Sequence, residues 1–428
     1  MKKHIITLCA ISSLMIGQAN AQNVNKEIAS LKDRLNNLEK SLSKSNLDEI
    51  RFNPKIGLLL NGKYHKSSNK DDEFNPAGFQ LGNHSHSAPQ GFSLYESELS
   101  LSADIDDLFS LNSNIIFADE DGEDKVEIEE LYAQTSKLPY GLSLKIGRFL
   151  PNIGYLNSNH LHTDNFANRS IAFRAFLGNH YFDDGAQLSW LLPTSFYNEI
   201  GFGLFSGRNF PASGRDKNGT PVKSAFFKTG GNLLNGEIQL GASYLSSKTG
   251  ENDRQSIHYH DGEQEINAFS GESNLFIADL KYSFSLSDNI KENEIIIQGE
   301  YFKRDEKGLY SLAHNNTPEP EEEGNVNTAQ SGYYAQAIYK FLPKWRVGYR
   351  YSKLFGSKNK DIAAFKEGVL QHNNHRPCAN TIMVDYTNSE FSRIRFEYEN
   401  QKLQYNDSND SVTIQYIFSI GAHPAHKF

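Results

Sequence analysis

The feature that most limits what this 428-residue chain can become is an alternation in its connections. From Phe52 onwards apolar and polar residues alternate with period two, the mark of strands that have two unlike faces. The pattern predicts sixteen strands, near 53–64, 92–105, 109–118, 126–136, 141–151, 184–193, 197–206, 223–231, 236–246, 274–284, 293–304, 331–341, 344–353, 379–387, 391–400 and 411–422. Six connections are short, 106–108, 137–140, 194–196, 232–235, 342–343 and 388–390, and 285–292 on the same side is somewhat longer. Between them fall long ones, roughly 65–91, 152–183, 207–222, 247–273, 305–330, 354–378 and 401–410, with 119–125 the one brief exception on that side. A soluble sandwich has no reason to keep every second loop short. An outer-membrane barrel does, because its periplasmic turns are short and its external loops long.

Composition agrees. The chain carries 28 Phe, 21 Tyr and 32 Gly against 13 Pro, a balance that suits strands bearing aromatics. After residue 20 no apolar run approaches the ~18 residues that a membrane-crossing helix requires. Mean hydropathy is −0.57, as expected where half of every strand is polar. A formal net charge of −9 lacks the basic footprint of a nucleic-acid binder. Individual strands keep their faces: Val412, Ile414, Tyr416, Phe418 and Ile420 alternate with Thr413, Gln415 and Ser419, and Trp345, Val347, Tyr349 and Tyr351 with Arg346, Gly348 and Arg350. The apolar set is expected to face lipid, with aromatics such as Tyr64, Phe92 and Phe341 at the interfaces.

The first 21 residues read as a signal peptide: a basic start, the uncharged apolar stretch Ile5–Gly17 and Ala19-Asn20-Ala21 at the cleavage position. Beyond it Cys378 is the one cysteine, so no intramolecular disulfide can form. Residues 22–48 read as a periplasmic coiled-coil helix, since Val24, Ile28, Leu31, Leu35, Leu38 and Leu42 keep a strict heptad spacing. The core residues of the heptad do not fix the number of helices in the bundle, and 52–428 are expected to form the barrel.

With apolar residues outside, their polar alternates line the interior. Arg346, Arg350, Arg393 and Arg395, with Glu397, are expected on one wall, and Glu96 and Glu98 on another, with Glu130 a weaker candidate. Opposed acidic and basic walls would set up a transverse field that orients hydrated solutes, unless the charges simply pair across neighbouring strands. Histidines are the second anomaly, because eleven of the fourteen fall in or beside predicted external loops. Six form His-x-His pairs: His84 and His86, His160 and His162, His258 and His260. In extended backbone the two rings of such a pair share a side and can meet one ion. With His180 and Asp183 they are candidate ligands for weak zinc binding, although Cu²⁺ or Ni²⁺ would also suit neutral imidazole and carboxylate. No cofactor is required by the sequence. Gly-x-Ser-x-Gly, Walker-type and dinucleotide motifs are absent, so no enzyme activity is expected.

The run Ile146-Gly147-Arg148-Phe149-Leu150-Pro151, Asn157 to His162, Phe173-Arg174-Ala175-Phe176-Leu177-Gly178 and Asp183 to Pro193 carries a resemblance, together with Gly91 to Leu99 and the tail Ser419 to Phe428. It resembles a group of proteobacterial outer-membrane porin-like proteins known as zinc-regulated outer-membrane proteins, and more distantly the phosphate-selective trimeric porins. The resemblance implies that the loop bearing His160 and His162 is the functional one, folded into the pore as porin third loops are, and that the chain assembles as a homotrimer. The expectation is therefore an all-β, antiparallel transmembrane barrel of about sixteen strands in the bacterial outer membrane, preceded by a short coiled coil. Its lipid-facing wall would surround a passive path for small hydrophilic solutes or metal ions, with zinc favoured by the histidine loops. The alternative is a surface adhesin or structural barrel with an occluded lumen.

Overall fold

The computed structural model describes residues 54–421 apart from 70–73, 83–84, 86–87, 121–122, 137, 213–220, 250–253, 261–262, 288–292, 315–321 and 358–369. The signal peptide and the heptad segment therefore lie outside the described residues, as do His84 and His86.

Among the described residues eighteen strand segments follow one another: β1 Lys55–Ser67, β2 Gly91–Leu94, β3 Ser97–Asp104, β4 Phe109–Glu120, β5 Glu123–Thr135, β6 Leu142–Phe149, β7 Asp183–Leu191, β8 Tyr197–Phe205, β9 Val222–Leu233, β10 Gly236–Lys248, β11 Arg254–His260, β12 Glu263–Ser285, β13 Glu294–His314, β14 Glu322–Leu342, β15 Trp345–Phe355, β16 Cys378–Ser389, β17 Ser392–Lys402 and β18 Asn409–Gly421. They make sixteen crossings. Both β2 and β3 pair with β1, at Tyr64 with Phe92 and Leu58 with Leu99, so they are one crossing broken at Tyr95-Glu96. β10 pairs with the inner part of β12, whereas β11 forms an external hairpin with its outer part. The barrel closes where β1 meets β18 antiparallel, from Gly57 with Gly421 to Ser67 with Ser411. Closure leaves no unpaired edge in lipid, where an unsatisfied peptide group would be costly.

Side chains obey the period-two rule. In β17 Ile394, Phe396 and Tyr398 are exposed on the outer wall while Arg393, Arg395, Glu397 and Glu399 are buried inside. Three strands run further outwards than alternation predicts, with β12, β13 and β14 reaching 23, 21 and 21 residues. Above the membrane their outer faces meet water, so apolar alternation stops although the ladder continues, as at Glu272 with Lys307 and Ser273 with Glu306.

The connection between β6 and β7, residues 150–182, enters the interior, where Phe79 and Leu81 of the β1–β2 connection meet it. Its one α-helix, α1 (Ile171–Leu177), starts where the Ser170 hydroxyl accepts from the Phe173 amide at 3.1 Å, and ends at Gly178 with φ 71°. That left-handed conformation is cheap for glycine alone. Every residue of α1 is buried. Phe173, Phe176 and Ile171 join one apolar cluster with Leu245 of β10, Leu275 and Ile277 of β12, Phe302 of β13, Tyr334 of β14, Leu354 of β15 and Ala379 of β16. Burying each such large side chain is worth roughly 1.5–3 kcal/mol. Around α1 that wall therefore turns an apolar patch inwards, set among buried polar groups such as Arg304, Glu306 and Gln330. The signal for this stands in the sequence as unbroken apolar runs such as Leu275-Phe276-Ile277, in which Phe276 faces out and its neighbours in.

Candidate functional site

The site lies where the inward connection meets the acidic wall. Glu96 and Glu98 come from the β2–β3 crossing, and Glu96 has φ 50°, which breaks the strand. Glu129 and Glu130 come from β5. Consecutive strand residues ordinarily point to opposite faces, yet both are buried inside. The register explains it: Asn114 of β4 pairs with Glu130 and Ile115 with Ile128, so Glu129 is the extra residue of a β-bulge. Bulges re-aim side chains in this way. Alternation alone therefore flagged Glu130 and missed Glu129.

Three histidines of the inward connection meet these carboxylates. His160 Nδ1 is 2.9 Å from Glu129 Oε2 and 3.8 Å from Glu98 Oε1, and its Nε2 is 3.2 Å from Glu130 Oε2. His162 Nδ1 is 2.7 Å from Glu98 Oε1. His180 Nδ1 is 3.5 Å from Glu96 Oε1 and 3.6 Å from Glu129 Oε1. The rings of His160 and His162 stack with centroids 5.8 Å apart, brought together by the single tight turn Leu161–Thr163 rather than by a strand. Burial disfavours the charged form of His160, but Glu98 and Glu129 outweigh it and hold its pKa well above the usual histidine value. The pocket demands positive charge.

The connection is rigidly tied. Arg169, 1% exposed, donates to Asp164 Oδ2 at 2.8 Å and to the carbonyls of Asn179, Leu156 and Asn159 at 2.6, 2.9 and 2.7 Å. Burial pushes the Asp164 carboxyl up despite that guanidinium. Wall groups hold the connection from several sides. Glu300 of β13 accepts from the Tyr155 amide at 2.7 Å, Glu397 of β17 from the Ala167 amide at 2.7 Å, and Ser243 of β10 from the Gly154 amide at 3.1 Å.

The basic wall behaves as both a charged lining and an anchor. Arg346 donates to Asn165 at 3.0 Å, Arg350 to the Asn168 carbonyl at 2.6 Å and Arg395 to the Asp164 carbonyl at 2.8 Å. Arg393 reaches the Thr387 hydroxyl at 3.1 Å. These four and Glu96 and Glu98 all sit on the inner surface. Many of their charges also pair: Arg346 and Arg395 with Asp385, and Arg350 with Glu399.

The structure thus brings His160, His162 and His180 together inside the barrel rather than at its mouth. Asp183 has another task, since its oxygens accept from the Tyr181 hydroxyl, the Ser206 hydroxyl and the Gly207 and Arg208 amides at 2.8 to 3.1 Å. His258 and His260 lie in the external strand β11, and their side chains fall outside the described residues. A cavity of about 330 Å³ opens along β5–β8, from Gln134 and Ser143 near the short-turn rim up to Lys145, Glu130 and His160.

No protein-family model matches the chain. An uncharacterised protein of Aquifex aeolicus (strain VF5) is 30% identical over 401 residues, covering 88% of this chain and 80% of that protein. Among solved structures, Pseudomonas putida OprB superposes with a TM-score of 0.55 at 9% identity, over 88% of this chain and 96% of its own. The outer membrane channel DcaP of Acinetobacter baumannii gives 0.53 at 10% identity, over 86% and 97%. The trimer form of OmpT, an outer membrane protein of Vibrio cholerae, gives 0.51 at 10% identity, over 86% and 99%. At such identities the likeness is one of fold. A closed sixteen-crossing barrel with an apolar outer wall places the chain in the bacterial outer membrane.

Proposed function

From the premise that the chain belongs to the same family as the Aquifex aeolicus protein and is an outer-membrane barrel, we propose that it is a porin, passing small hydrophilic solutes by passive diffusion. The observation that carries this reading is the 150–182 connection drawn inwards between an acidic, histidine-bearing wall and an arginine wall. Polar walls of opposite sign around a narrowing orient hydrated solutes and set selectivity. The cavity beside β5–β8 supports a route past the connection rather than through α1, whose apolar packing fills the other side. Its inner end carries Glu130, Lys145 and His160, and the imidazole and carboxylate donors there and in the neighbouring acidic cluster are the reason to count divalent metal cations such as zinc among the solutes. The porin-like resemblance read from the sequence points the same way. The working unit in this reading is a homotrimer joined through the 22–48 heptad segment. Liposomes containing the protein should leak small sugars and salts. Liposomes that stay tight to both would instead favour the occluded surface barrel.

A further inference from the structure

We propose that Glu96, Glu98, Glu129, His160, His162 and His180 form a two-ion site for divalent first-row metals, bridged by Glu129, whose occupation fastens the inward connection to the barrel wall. The geometry falls into two triads that share one carboxylate. Glu98, Glu129 and His160 present ligand atoms all within 4.8 Å of one another, and so do Glu96, Glu129 and His180. Glu129 faces the two triads with different oxygens, Oε2 towards His160 at 2.9 Å and Oε1 towards His180 at 3.6 Å. A carboxylate placed so, with one oxygen per ion, is what a bridging ligand requires. Around an ion with bonds of about 2.0–2.2 Å to nitrogen and oxygen, tetrahedral neighbours stand about 3.3–3.6 Å apart. The separations here, from 2.9 to 3.8 Å, bracket that range.

Three further features fit. His162 stands beside the first triad, its Nδ1 2.7 Å from Glu98 Oε1, and orients that carboxylate from the connection's side. The far ring nitrogen of His160 is 3.2 Å from Glu130, the outer carboxylate that commonly orients a metal-bound imidazole. All six side chains are buried or nearly so, with Glu129 1%, Glu98 2% and His180 3% exposed, so the carboxylates need a cation from close by. The mixed nitrogen and oxygen donor set without thiolate suits zinc and its first-row neighbours.

The ligands also divide by origin. The histidines belong to the connection between β6 and β7, the carboxylates to the wall strands β2–β3 and β5. Metal bound here joins the two and latches the connection in place. The site itself needs only this geometry; the latch rests on the porin reading and names its regulation.

The test uses the full-length chain in detergent, stripped with a chelator and dialysed, then titrated with Zn²⁺ for stoichiometry and Co²⁺ for its visible absorption. Two tightly held ions per chain are expected. His180→Ala and His160→Ala should each weaken one ion at least tenfold, and Glu129→Gln should weaken both, in chains that still migrate as folded barrels on unheated gels. His258→Ala/His260→Ala, in the external hairpin, should leave both ions in place. Fewer than two ions in the wild type, unchanged binding in folded Glu129→Gln, or loss of the ions in the external variant would overturn the site. Should Glu129→Gln fail to fold, the two histidine variants decide alone. In bilayers, chelation should raise conductance and Zn²⁺ should lower it again; two bound ions with conductance unmoved by chelation would overturn the latch. A chain that binds two ions yet never conducts refutes the porin reading and leaves the site standing.

Discussion

Glu129 and Glu130 are neighbours in sequence, yet both point into the lumen, because a bulge against Asn114 and Ile115 inserts Glu129 as an extra residue in β5. That single irregularity places a second acidic group beneath the histidines of the inward connection. Across the interior from it an apolar patch of β12–β16 grips α1.

Arg169 organises the inward connection from within, and its loss should free it. Arg169→Ala strips Asp164 of its guanidinium and removes a donor from the carbonyls of Asn179, Leu156 and Asn159, a change worth about 3–5 kcal/mol when one partner of a buried pair is removed. The barrel ladder does not pass through Arg169, so heat-modifiable migration should persist. Limited proteolysis should then cut within 150–182, and single-channel conductance should rise. Resistance to protease equal to wild type would show that the wall contacts suffice.

Phe176 stacks on Phe302 of β13 at 5.4 Å and 7°, while Phe173 meets the same ring edge-on. Phe176→Ala should cost about 3–5 kcal/mol locally. Faster hydrogen exchange is expected in 171–177 with unchanged protection in β15–β18. Equal acceleration across the barrel would mean that α1 stabilises the whole wall.

Charge on the two walls should act in opposite senses on selectivity. Arg350→Gln should shift the reversal potential towards cations and Glu130→Gln towards anions, each by a permeability ratio of about two-fold or more, or ~0.4 kcal/mol. Shifts of the same sign, or none, would assign these charges to structure alone.

Removing residues 24–45 deletes the heptad stripe while leaving β1 intact. Native gels and light scattering should report a smaller assembly than the full-length chain. An unchanged trimer would place the assembly contacts on the barrel itself.

Much of this was legible in the sequence for a physical reason: lipid outside and water inside impose period two on every crossing. Sixteen crossings, their order and the long-short alternation of connections follow from that rule. The inward direction of Arg346, Arg350, Arg393 and Arg395 follows too. Where one of those solvents is missing, the rule fails. Above the membrane water lies on both sides, and the outer halves of β12–β14 read as loops. Beside α1 protein replaces water inside, and Leu275, Ile277 and Phe302 join the apolar core. Glu129 was hidden by its bulge, and the meeting of Glu96, Glu98 and Glu129 with His160, His162 and His180 spans 84 positions that pattern alone cannot fold together. Asp183 looked like a ligand by its neighbours in sequence, whereas the structure engages it with Tyr181, Ser206 and nearby amides.

The central claim is a polar path past the inward connection, and planar-bilayer recording of the purified full-length chain tests it most directly. Discrete conductance steps in potassium chloride that grow after chelation, with reversal potentials favouring cations, are the predicted result. A membrane that stays silent with the folded barrel inserted, before and after chelation, would contradict it.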